Sequence, residues 1–448
     1  MLEQFLHKIR AHLPQLDREI TLLAVSGGVD SMVMARLFAA AQLPFAIAHC
    51  NFQLRGAVSD EDEVFVRALA TELNVPYHTV TFETEQLAKE QSVSIQMIAR
   101  DLRYEWLESI RSINHYQYIA TAHHLNDAIE TSLLNQVRGT GIRGLTGIDL
   151  LHGHLVRPLL FFTRAQIEDY LKANGWKIRE DSSNSKDDYY RNRLRHHVVP
   201  VMQGINPSLE RTFNNNFGIW RETAYLMEWA VAHLRERYIR PEGERIRIDF
   251  TFLQDHSDAA ATLLFEWLRH AGFHPDQLQQ AIESVGTGPG AVVLSSTHRL
   301  LVDRDAFWVE PIPVNNNEVG IFKLAKPGDA LVLSDGILTS QVYPMDSIPD
   351  YSTSVWQAVL DLDRLTFPLH MRRWQAGDVF HPLGMKGHRK KVQDYFTDLK
   401  INRFDKEKIW LLTTADDDIV WLMGYRIDER YKIREETRKT LLLRFVRN

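Results

Sequence analysis

One short run of the chain combines residue types that suit an anion and a divalent cation together. The run is SGGVDS, which consists of Ser26, Gly27, Gly28, Val29, Asp30 and Ser31. Two adjacent glycines let the backbone come close to a phosphate, and the serine hydroxyls add hydrogen-bond donors. A carboxylate such as Asp30 suits a phosphate site only when Mg²⁺ lies between the two anions. The run therefore predicts a phosphate site with Mg²⁺, and an ordinary strand-to-helix turn is the alternative.

A second acidic segment, TAHHLNDAIET, covers residues 121–131. Asp127 and Glu130 lie three residues apart, which places them on one face of a helix. In the simpler interpretation, Asp127 caps that helix and Glu130 completes the capping arrangement. In the alternative, Asp127 shares Mg²⁺ with Asp30, and Glu130 faces the same cleft and suits a cationic amine. His124 is a candidate for phosphate contact, and packing is the other interpretation of this histidine.

Three basic groups are further candidates for contact with phosphates. Arg100 and Arg103 share one face of a predicted helix, where they either clamp a phosphate or form salt bridges at the surface. The other two groups contain Arg191, Arg193 and Arg195, and Lys386, Arg389 and Lys390. A solvated face is the common explanation of a single charge run, so binding of nucleic acid by these groups is a hypothesis.

Apolar runs that read as strands alternate with helical segments in the first 200 residues. Predicted strands cover 20–25, 45–50, 77–82, 118–122 and 155–158, and predicted helices cover 32–39, 60–73, 95–110, 128–137 and 164–174. This order predicts a parallel sheet with helices on both faces. Ligands bind at the carboxyl ends of such strands, and the polar motifs all follow strands. We therefore expect Asp30 and Asp127 at neighbouring strand ends.

The length of 448 residues predicts several domains, at about 100–200 residues each. We expect an α/β nucleotide-binding domain over 1–205, a mainly helical middle region over 206–310 and a small α+β domain over 311–448. Helices are predicted over 212–238, 252–270 and 275–285, and short strands over 290–360. Asn315–Asn317 is predicted to be a surface turn.

Composition excludes several classes of protein. No stretch of about 18 apolar residues occurs, and the first residues lack a signal-peptide pattern, so we expect a cytoplasmic protein without a membrane partner. The single cysteine, Cys50, cannot form an intramolecular disulfide or hold a zinc or iron–sulfur site unaided. A net charge of -6 argues against a uniformly nucleic-acid-coating surface but permits local basic patches.

Further motifs follow SGGVDS in a defined order along the chain. They are HCNFQLR at 49–55, ARDLRY at 99–104, the segment 121–131, RGTGIRGLTGI at 138–148, RPLL at 157–160, EDSSN at 180–184 with RNRLR at 191–195, RRWQAGD at 372–378 and HPLG at 381–384. The four glycines at 138–148 either cap a helix or form a mobile loop at the active site. In this order the motifs resemble the tRNA(Ile)-lysidine synthases of the pyrophosphate-loop superfamily.

The resemblance implies a ligase that uses ATP, Mg²⁺ and free L-lysine. ATP would adenylate the C2 oxygen of the wobble cytidine in an isoleucine tRNA with a CAU anticodon, releasing pyrophosphate. The ε-amine of lysine would then attack C2 and release AMP.

The same resemblance implies roles for individual residues. SGGVDS would bind ATP, with Asp30 on Mg²⁺ and Asp127 as the second acidic position. Glu130 would lie near lysine, and the arginines at 191–195 near the nucleotide and the tRNA. Together with the candidates named above, this gives Asp30, Asp127 and Glu130 as catalytic residues, and SGGVDS, Arg100 and His124 as the ATP site.

Three other functions are alternatives to this one. The thiolases of the superfamily need cysteines for persulfide or iron–sulfur chemistry, and the chain has only Cys50. The glutamine-dependent relatives need a glutaminase domain or partner, and no N-terminal nucleophilic cysteine occurs here. A non-catalytic tRNA-binding protein would have a decayed ATP site, against which the intact SGGVDS argues. The sequence leaves open whether the protein is a homodimer and which group deprotonates lysine.

Overall fold

A computed structural model describes residues 1–176, 190–313, 320–348 and 354–447. The chain forms two compact units, Met1–Trp229 and Ala230–Asn448. The segment 180–184 and the predicted surface turn Asn315–Asn317 lie outside the described residues.

The first unit is an α/β layer structure. Its strands are β1 Thr21–Ala24, β2 Phe45–Asn51, β3 Tyr77–Thr81, β4 Tyr118–Ala120, β5 Leu151–His152 and β6 Leu155–Val156. Its helices are α1 Leu2–His12, α2 Val29–Ala40, α3 Ala57–Glu72, α4 Thr84–Gln91, α5 Ile95–Ile113, α6 Leu125–Arg138, α7 Ile142–Leu145, α8 Arg164–Ala173, α9 Tyr190–Arg193, α10 Val199–Ile205 and α11 Leu209–Tyr238, which continues into the second unit.

The strands form one sheet in the order β3-β2-β1-β4-β6-β5. All neighbours are parallel except the edge strand β5, which pairs antiparallel with β6. The chain moves outward from β1 to β2 and β3, then returns to β4 on the other side of β1. This reversal makes the gap between β1 and β4 the topological switch point, where ligands bind in such sheets.

Successive residues of a strand point to opposite faces of the sheet, and each face has its own core. Leu23 of β1 and Ile47 of β2 pack with apolar residues of α1, α2, α3 and α8. Leu22 and the alternate residues of β2 pack against Leu107 of α5. The helices cover both faces, so the α/β fold predicted from the sequence is confirmed.

A third apolar cluster joins α6 to the helical segment that ends the first unit. Leu125 and Ile129 of α6 pack with Phe213 and Phe217 of α11. These contacts fix one side of α6, and the side that carries Asp127 and Glu130 faces the cleft.

The second unit consists mainly of antiparallel strands. Its strands are β7 Ile239–Glu242, β8 Arg245–Asp249, β9 Ala291–Leu294, β10 His298–Val302, β11 Ala306–Pro311, β12 Phe322–Leu324, β13 Ala330–Leu333, β14 Gly336–Pro344, β15 Gln357–Asp361, β16 Leu369–Arg373, β17 Val379–Phe380, β18 Lys390–Lys391, β19 Trp410–Thr413, β20 Ile419–Leu422, β21 Arg426–Ile427 and β22 Lys439–Arg447. Its helices are α12 Thr251–Asp255, α13 Ala260–Leu268, α14 Pro275–Glu283, α15 Val392–Asp398 and α16 Arg403–Glu407. The sheets have the orders β7-β8-β11-β10-β9, β12-β16-β19-β20-β21, β13-β14-β22-β15 and β17-β18.

Two expectations for the middle region were incomplete. The single helix predicted over 252–270 is divided into α12 and α13, with a 3₁₀ turn over Ser257–Ala259 between them. Ser and Asp at 257 and 258 favour turns over helix interiors, which accounts for the break. The hairpin of β7 and β8 was not predicted, because its polar residues gain their strand character from pairing with β11. The predicted domain boundaries at 205 and 310 stay predictions.

None of the helices within the described ranges has the length and apolar character that a membrane span requires.

The core of the first unit gives a stability prediction. Phe38 of α2 is fully buried, with ring centres 5.8 Å from Phe5 and 5.9 Å from Phe45. We expect Phe38→Ala to lower the free energy of unfolding of this unit by about 3–5 kcal/mol, because it leaves a cavity. Urea unfolding followed by circular dichroism measures the change. Ile113→Ala, at a side chain 73% exposed, is the control, and equal shifts for the two variants would contradict the assignment.

Candidate active site

The SGGVDS turn connects β1 to α2 at the switch point. Gly28 is the N-cap of α2, which begins at Val29, so Asp30 lies in the first helical turn. Gly27 has φ +91°, a conformation that residues with a Cβ rarely adopt. The turn therefore needs glycine at this position. The helix dipole and the free N–H groups of the first turn favour an anion in front of it.

The two serines of the turn hold it in shape. Ser31 Oγ accepts a hydrogen bond from the Ser26 N–H at 3.1 Å and donates one to the Gly28 carbonyl at 3.0 Å. The two hydroxyl oxygens lie 3.2 Å apart. Ser31 is buried and Ser26 is exposed. In this arrangement Ser31 shapes the turn, and Ser26 is the serine whose hydroxyl faces solvent.

The start of α6 shows that Asp127 does cap a helix, although not as the N-cap residue. His124 is the N-cap, and its backbone N–H donates to Asp127 Oδ2 at 2.9 Å. Glu130 takes no part in this bond. The other oxygen, Asp127 Oδ1, lies 3.4 Å from Arg195 Nη2. One oxygen of Asp127 is therefore structural, and the other faces the cleft.

Glu130 is only 2% exposed and is paired with two arginines. Arg195 donates to both of its oxygens, with Nε to Oε1 at 2.7 Å and Nη2 to Oε2 at 2.9 Å. Arg191 Nε lies 3.3 Å from Oε2, and its Nη2 donates to Thr131 Oγ1 at 2.5 Å. Burial disfavours the charge of Arg195, but its bonds to Glu130 raise its pKa overall. Arg195 lies in a π-helical turn, Leu194–Val198, which places it one turn beyond Arg191.

Asp30 is paired with Arg164, an arginine that the sequence analysis did not select. Arg164 Nη1 donates to Asp30 Oδ2, and His124 Nε2 lies 3.8 Å from Asp30 Oδ1. Within the described part of the chain, nothing hydrogen-bonds Oδ1, although this atom is buried. Burial raises the pKa of Asp30, His124 and Arg164 oppose the rise, and the charge of Asp127 adds to it. The carboxyls of Asp30 and Asp127 are thus close enough to influence each other, as the strand order predicted.

The fit of this site to Mg²⁺ depends on what the side chains can supply. Over the described residues, no cluster of three or more His, Cys, Asp or Glu side chains is arranged to hold a metal ion by itself. Asp30 Oδ1 is buried without a hydrogen-bond partner among the described residues, and Asp127 Oδ1 lies beside Arg195, so these two carboxylate oxygens could serve a cation. Mg²⁺ commonly takes one or two carboxylates and completes its shell with substrate phosphates and water. The residues therefore fit Mg²⁺ that arrives with a nucleotide.

Two histidines at the strand ends, His49 and His123, are held as neutral groups. Burial lowers the pKa of His123 to about 4, and its Nδ1 lies 2.9 Å from Thr121 Oγ1. Burial also lowers the pKa of His49, whose Nδ1 lies 2.8 Å from the Val25 carbonyl. In Asp127, burial favours the neutral acid, but His124, His123, the His124 N–H and Arg191 lower its pKa overall. Asp127 is therefore an anion at neutral pH.

The glycine-rich segment after α6 folds back on that helix. It contains α7, and Ser132 Oγ of α6 donates to the Leu145 carbonyl at 2.8 Å. Asn135 Nδ2 donates to the Gly144 carbonyl at 3.0 Å. These bonds tie the segment to the helix that carries Asp127 and Glu130.

Other predicted residues are exposed or have partners of their own. Arg100 is exposed on α5, with its guanidinium 5.0 Å from the ring centre of Tyr104. Arg193 is exposed on α9. In the second unit, Lys386 lines a cavity of about 540 Å³ with His381, Arg430, Lys432 and Arg434, among others. Arg389 is exposed, and Lys390 is paired with Asp398.

Cys50 bears on the reactions that the site can perform. It is half-buried near the end of β2, and burial raises its pKa to about 12. The thiol therefore stays protonated at neutral pH, and a protonated thiol is a poor nucleophile. This agrees with the exclusion of cysteine-based chemistry drawn from the sequence.

Comparison with protein families and known proteins gives matches along both units. Family models described as PP-loop domain, TilS substrate binding domain and TilS substrate C-terminal domain match residues 1–202, 241–312 and 369–443. A U34-tRNA thiolase from Methanococcus maripaludis is similar in structure, with a TM-score of 0.42 and 16% identity over 49% of this chain and 80% of that one.

Curated relatives match over almost the full length. The tRNA(Ile)-lysidine synthase of Parabacteroides distasonis is 36% identical, over 98% of this chain and 100% of that protein. The tRNA(Ile)-lysidine synthase of Bacteroides thetaiotaomicron is 37% identical, over 95% of each. The prediction that the chain is an enzyme with a pyrophosphate-loop domain is confirmed, and the chain belongs to the tRNA(Ile)-lysidine synthase family.

Proposed function

We propose that this chain converts the wobble cytidine of a CAU-anticodon isoleucine tRNA to lysidine, with ATP, Mg²⁺ and free L-lysine. The observation that carries the proposal is the convergence of SGGVDS with Asp30, Asp127 and the buried Glu130 at one switch point. Full-length similarity to proteins named tRNA(Ile)-lysidine synthase supports it.

The nucleotide half of the site acts on the phosphates. The N–H groups of the SGGVDS turn and the start of α2 face an anion, and Ser26 adds a hydroxyl. Asp30 Oδ1 and Asp127 Oδ1 would hold Mg²⁺ beside the phosphates. When bound, Mg²⁺ neutralises the charge that develops on the departing pyrophosphate. The C2 oxygen of cytidine then attacks the α-phosphorus and the bond between the α and β phosphates breaks.

The amine half of the site is centred on Glu130. A buried carboxylate with both oxygens in a bidentate pair is shaped for a cation, and in the free protein Arg195 supplies that cation. We propose that the ε-ammonium of lysine takes the place of Arg195 at Glu130. Attack on C2 requires the neutral amine, so a carboxylate or a phosphate must accept its proton. The C2–O bond then breaks and AMP leaves.

The released arginines have an anionic partner at hand. Arg191 and Arg195 reach the cleft from the chain segment after α8, and Arg193 is exposed beside them. Arginine binds phosphate in a bidentate manner. We propose that these three arginines contact the AMP moiety and the tRNA backbone when the substrates are bound, and that Arg100 contributes from α5.

Asp30 is the first residue to test. We expect Asp30→Asn to lower ATP–pyrophosphate exchange about 100-fold or more, because the metal ligand that it removes stabilises the transition state by several kcal/mol. Binding of the tRNA should stay unchanged.

The control is Glu72→Gln, which removes a carboxylate paired with Arg36 of α2, outside the cleft. Wild-type exchange in Asp30→Asn would contradict the proposed metal site.

Glu130 is expected to act in the second step only. Glu130→Gln should raise the KM for lysine by about 10- to 150-fold, because a charged hydrogen bond contributes about 1.5–3 kcal/mol. ATP–pyrophosphate exchange with tRNA should persist. Labelled lysine incorporation and exchange, measured side by side, separate the two steps.

The matched variant is Glu228→Gln, whose carboxylate pairs with Arg143 at 2.8 Å and is half exposed. An unchanged KM for lysine in Glu130→Gln would show that Glu130 does not bind the lysine ammonium.

The basic group of the second unit gives a prediction for tRNA binding. Lys386→Ala with Arg389→Ala should weaken binding of any tRNA and reduce the slope of log K against log salt by about one for each phosphate that the variant no longer neutralises. Filter binding at several salt concentrations measures this slope. Lys390→Ala is the comparison, because Lys390 is already paired with Asp398. An unchanged slope in the double variant would exclude phosphate contacts by this group.

A further inference from the structure

Arg164 occupies a position that helix electrostatics do not favour. It is the first residue of α8, directly after the N-cap Thr163, and no acidic residue lies in that first turn. A cation at the N-terminus of a helix opposes the helix dipole. The cap itself is complete without Arg164, because Thr163 Oγ1 and Gln166 satisfy each other's backbone N–H groups. Within α8, Arg164 forms an i,i+4 pair with Glu168, a kind of pair that contributes little to the stability of a helix.

The arginine is held at the junction of three helices. Its backbone N–H donates to Asn126 Oδ1 of α6 at 2.9 Å, and its Nε donates to Glu168 Oε1 at 2.7 Å. Its Nη1 donates to Asp30 Oδ2 of α2. Asn126 directly precedes Asp127. The guanidinium is thus bound to one of the two predicted metal carboxylates, Asp30, with its Nε held by Glu168, and its side chain is 33% exposed.

Asp30 is only half satisfied by this pair. Oδ2 is bound to Arg164, while Oδ1 is buried without a hydrogen-bond partner among the residues that the structure describes. A divalent cation is a stronger partner for the whole carboxylate than one arm of a guanidinium. If a cation takes Asp30, the Nη atoms of Arg164 lose their acceptor, and Glu168 alone holds the side chain at Nε. The phosphates of a nucleotide bound in front of α2 would then offer an acceptor that suits the arginine fork.

We propose that Arg164 is an internal counter-ion of Asp30, which it neutralises in the nucleotide-free protein and leaves for the nucleotide phosphates when Mg²⁺ enters. This inference rests on the proposed function of SGGVDS. Arg164 acts through Asp30 and the phosphates and is therefore a positioning residue. While Arg164 is paired with Asp30, it disfavours binding of a free divalent cation at the empty site. Because Arg164 moves to the phosphates when the cation binds, binding of the metal is coupled to binding of the nucleotide.

Two binding measurements on the full-length protein test this exchange. The first is binding of Mn²⁺ without nucleotide, followed by the electron paramagnetic resonance signal of free Mn²⁺. The second is binding of α,β-methylene-ATP at saturating Mg²⁺. For Arg164→Gln we expect Mn²⁺ to bind at least about fivefold more tightly and the nucleotide analogue at least about fivefold more weakly, the range typical of coupled sites. Arg164→Lys, which keeps the charge without the fork, should bind Mn²⁺ as the wild type does and the analogue more weakly.

The opposite directions distinguish an exchange from a structural role. Loss of a merely structural arginine would weaken both ligands together, and that result, or no change in either, would overturn the proposal. Arg36→Gln is the control. Arg36 of α2 also forms an ion pair with a carboxylate, that of Glu72 in α3, but this pair lies outside the cleft. Both affinities should stay at the wild-type value in this control.

Asp30→Asn separates this proposal from the proposed function. If the analogue binds the wild type and Asp30→Asn equally in Mg²⁺, the assignment of the nucleotide site fails and the counter-ion role fails with it. If Asp30→Asn loses the analogue while Arg164→Gln shows no opposed shifts, only the counter-ion role is overturned.

Discussion

The first unit depends on the neutralisation of three carboxylates that the fold brings to one edge of its sheet. Asp30 and Asp127 lie in the first turns of α2 and α6, on either side of the switch point, and Glu130 lies one turn further along α6. Buried or half-buried like charges at such distances are unfavourable unless each has a partner. The partners are arginines from later parts of the chain, Arg164 for Asp30 and Arg195 for Asp127 and Glu130. In the folded cleft each of the three carboxylates is therefore paired with an arginine.

This constraint explains why the site is assembled from distant segments. A carboxylate at the start of a helix interacts well with the helix dipole, and Asp127 also accepts a hydrogen bond from the His124 N–H. Local groups therefore stabilise part of the negative charge at the starts of α2 and α6. Glu130, one turn further, is almost fully buried and depends on Arg195, which is 65 residues away. The segment after α8 must return to the cleft to deliver this arginine. The same return brings Arg191 to Thr131 and fixes the side of α6 that faces the ligand.

In the first unit, sequence patterns were enough for five strands and for α2, α3, α5, α6 and α8, and for the meeting of Asp30 with Asp127. The other helices of this unit before α11 were not predicted. The strands are short apolar runs, and the alternation of strands and helices dictates a parallel sheet whose polar strand ends share an edge. The edge strand β5, only two residues long, gave no such signal. Local patterns could not predict which arginines pair with the carboxylates. In the sequence, Arg164 is only the first residue of a predicted helix, and its contact with Asp30 is visible only in the folded structure. The hairpin of β7 and β8 escaped for a similar reason, since its register with β11 is a tertiary contact.

These ion pairs also indicate which charges on a substrate the cleft could bind. Arg164 and Arg195 each neutralise a carboxylate that another cation could bind. The proposed reaction brings two such cations, a divalent metal and a lysine ammonium. It also brings a polyanion, which can accept the arginines that those cations displace. In the proposed reaction, binding would exchange one set of ion pairs for another, so that the buried charges would keep partners. The groups proposed to bind the substrate charges are already partly or fully buried in the free cleft, and such a preorganised site would need little rearrangement when the substrates bind.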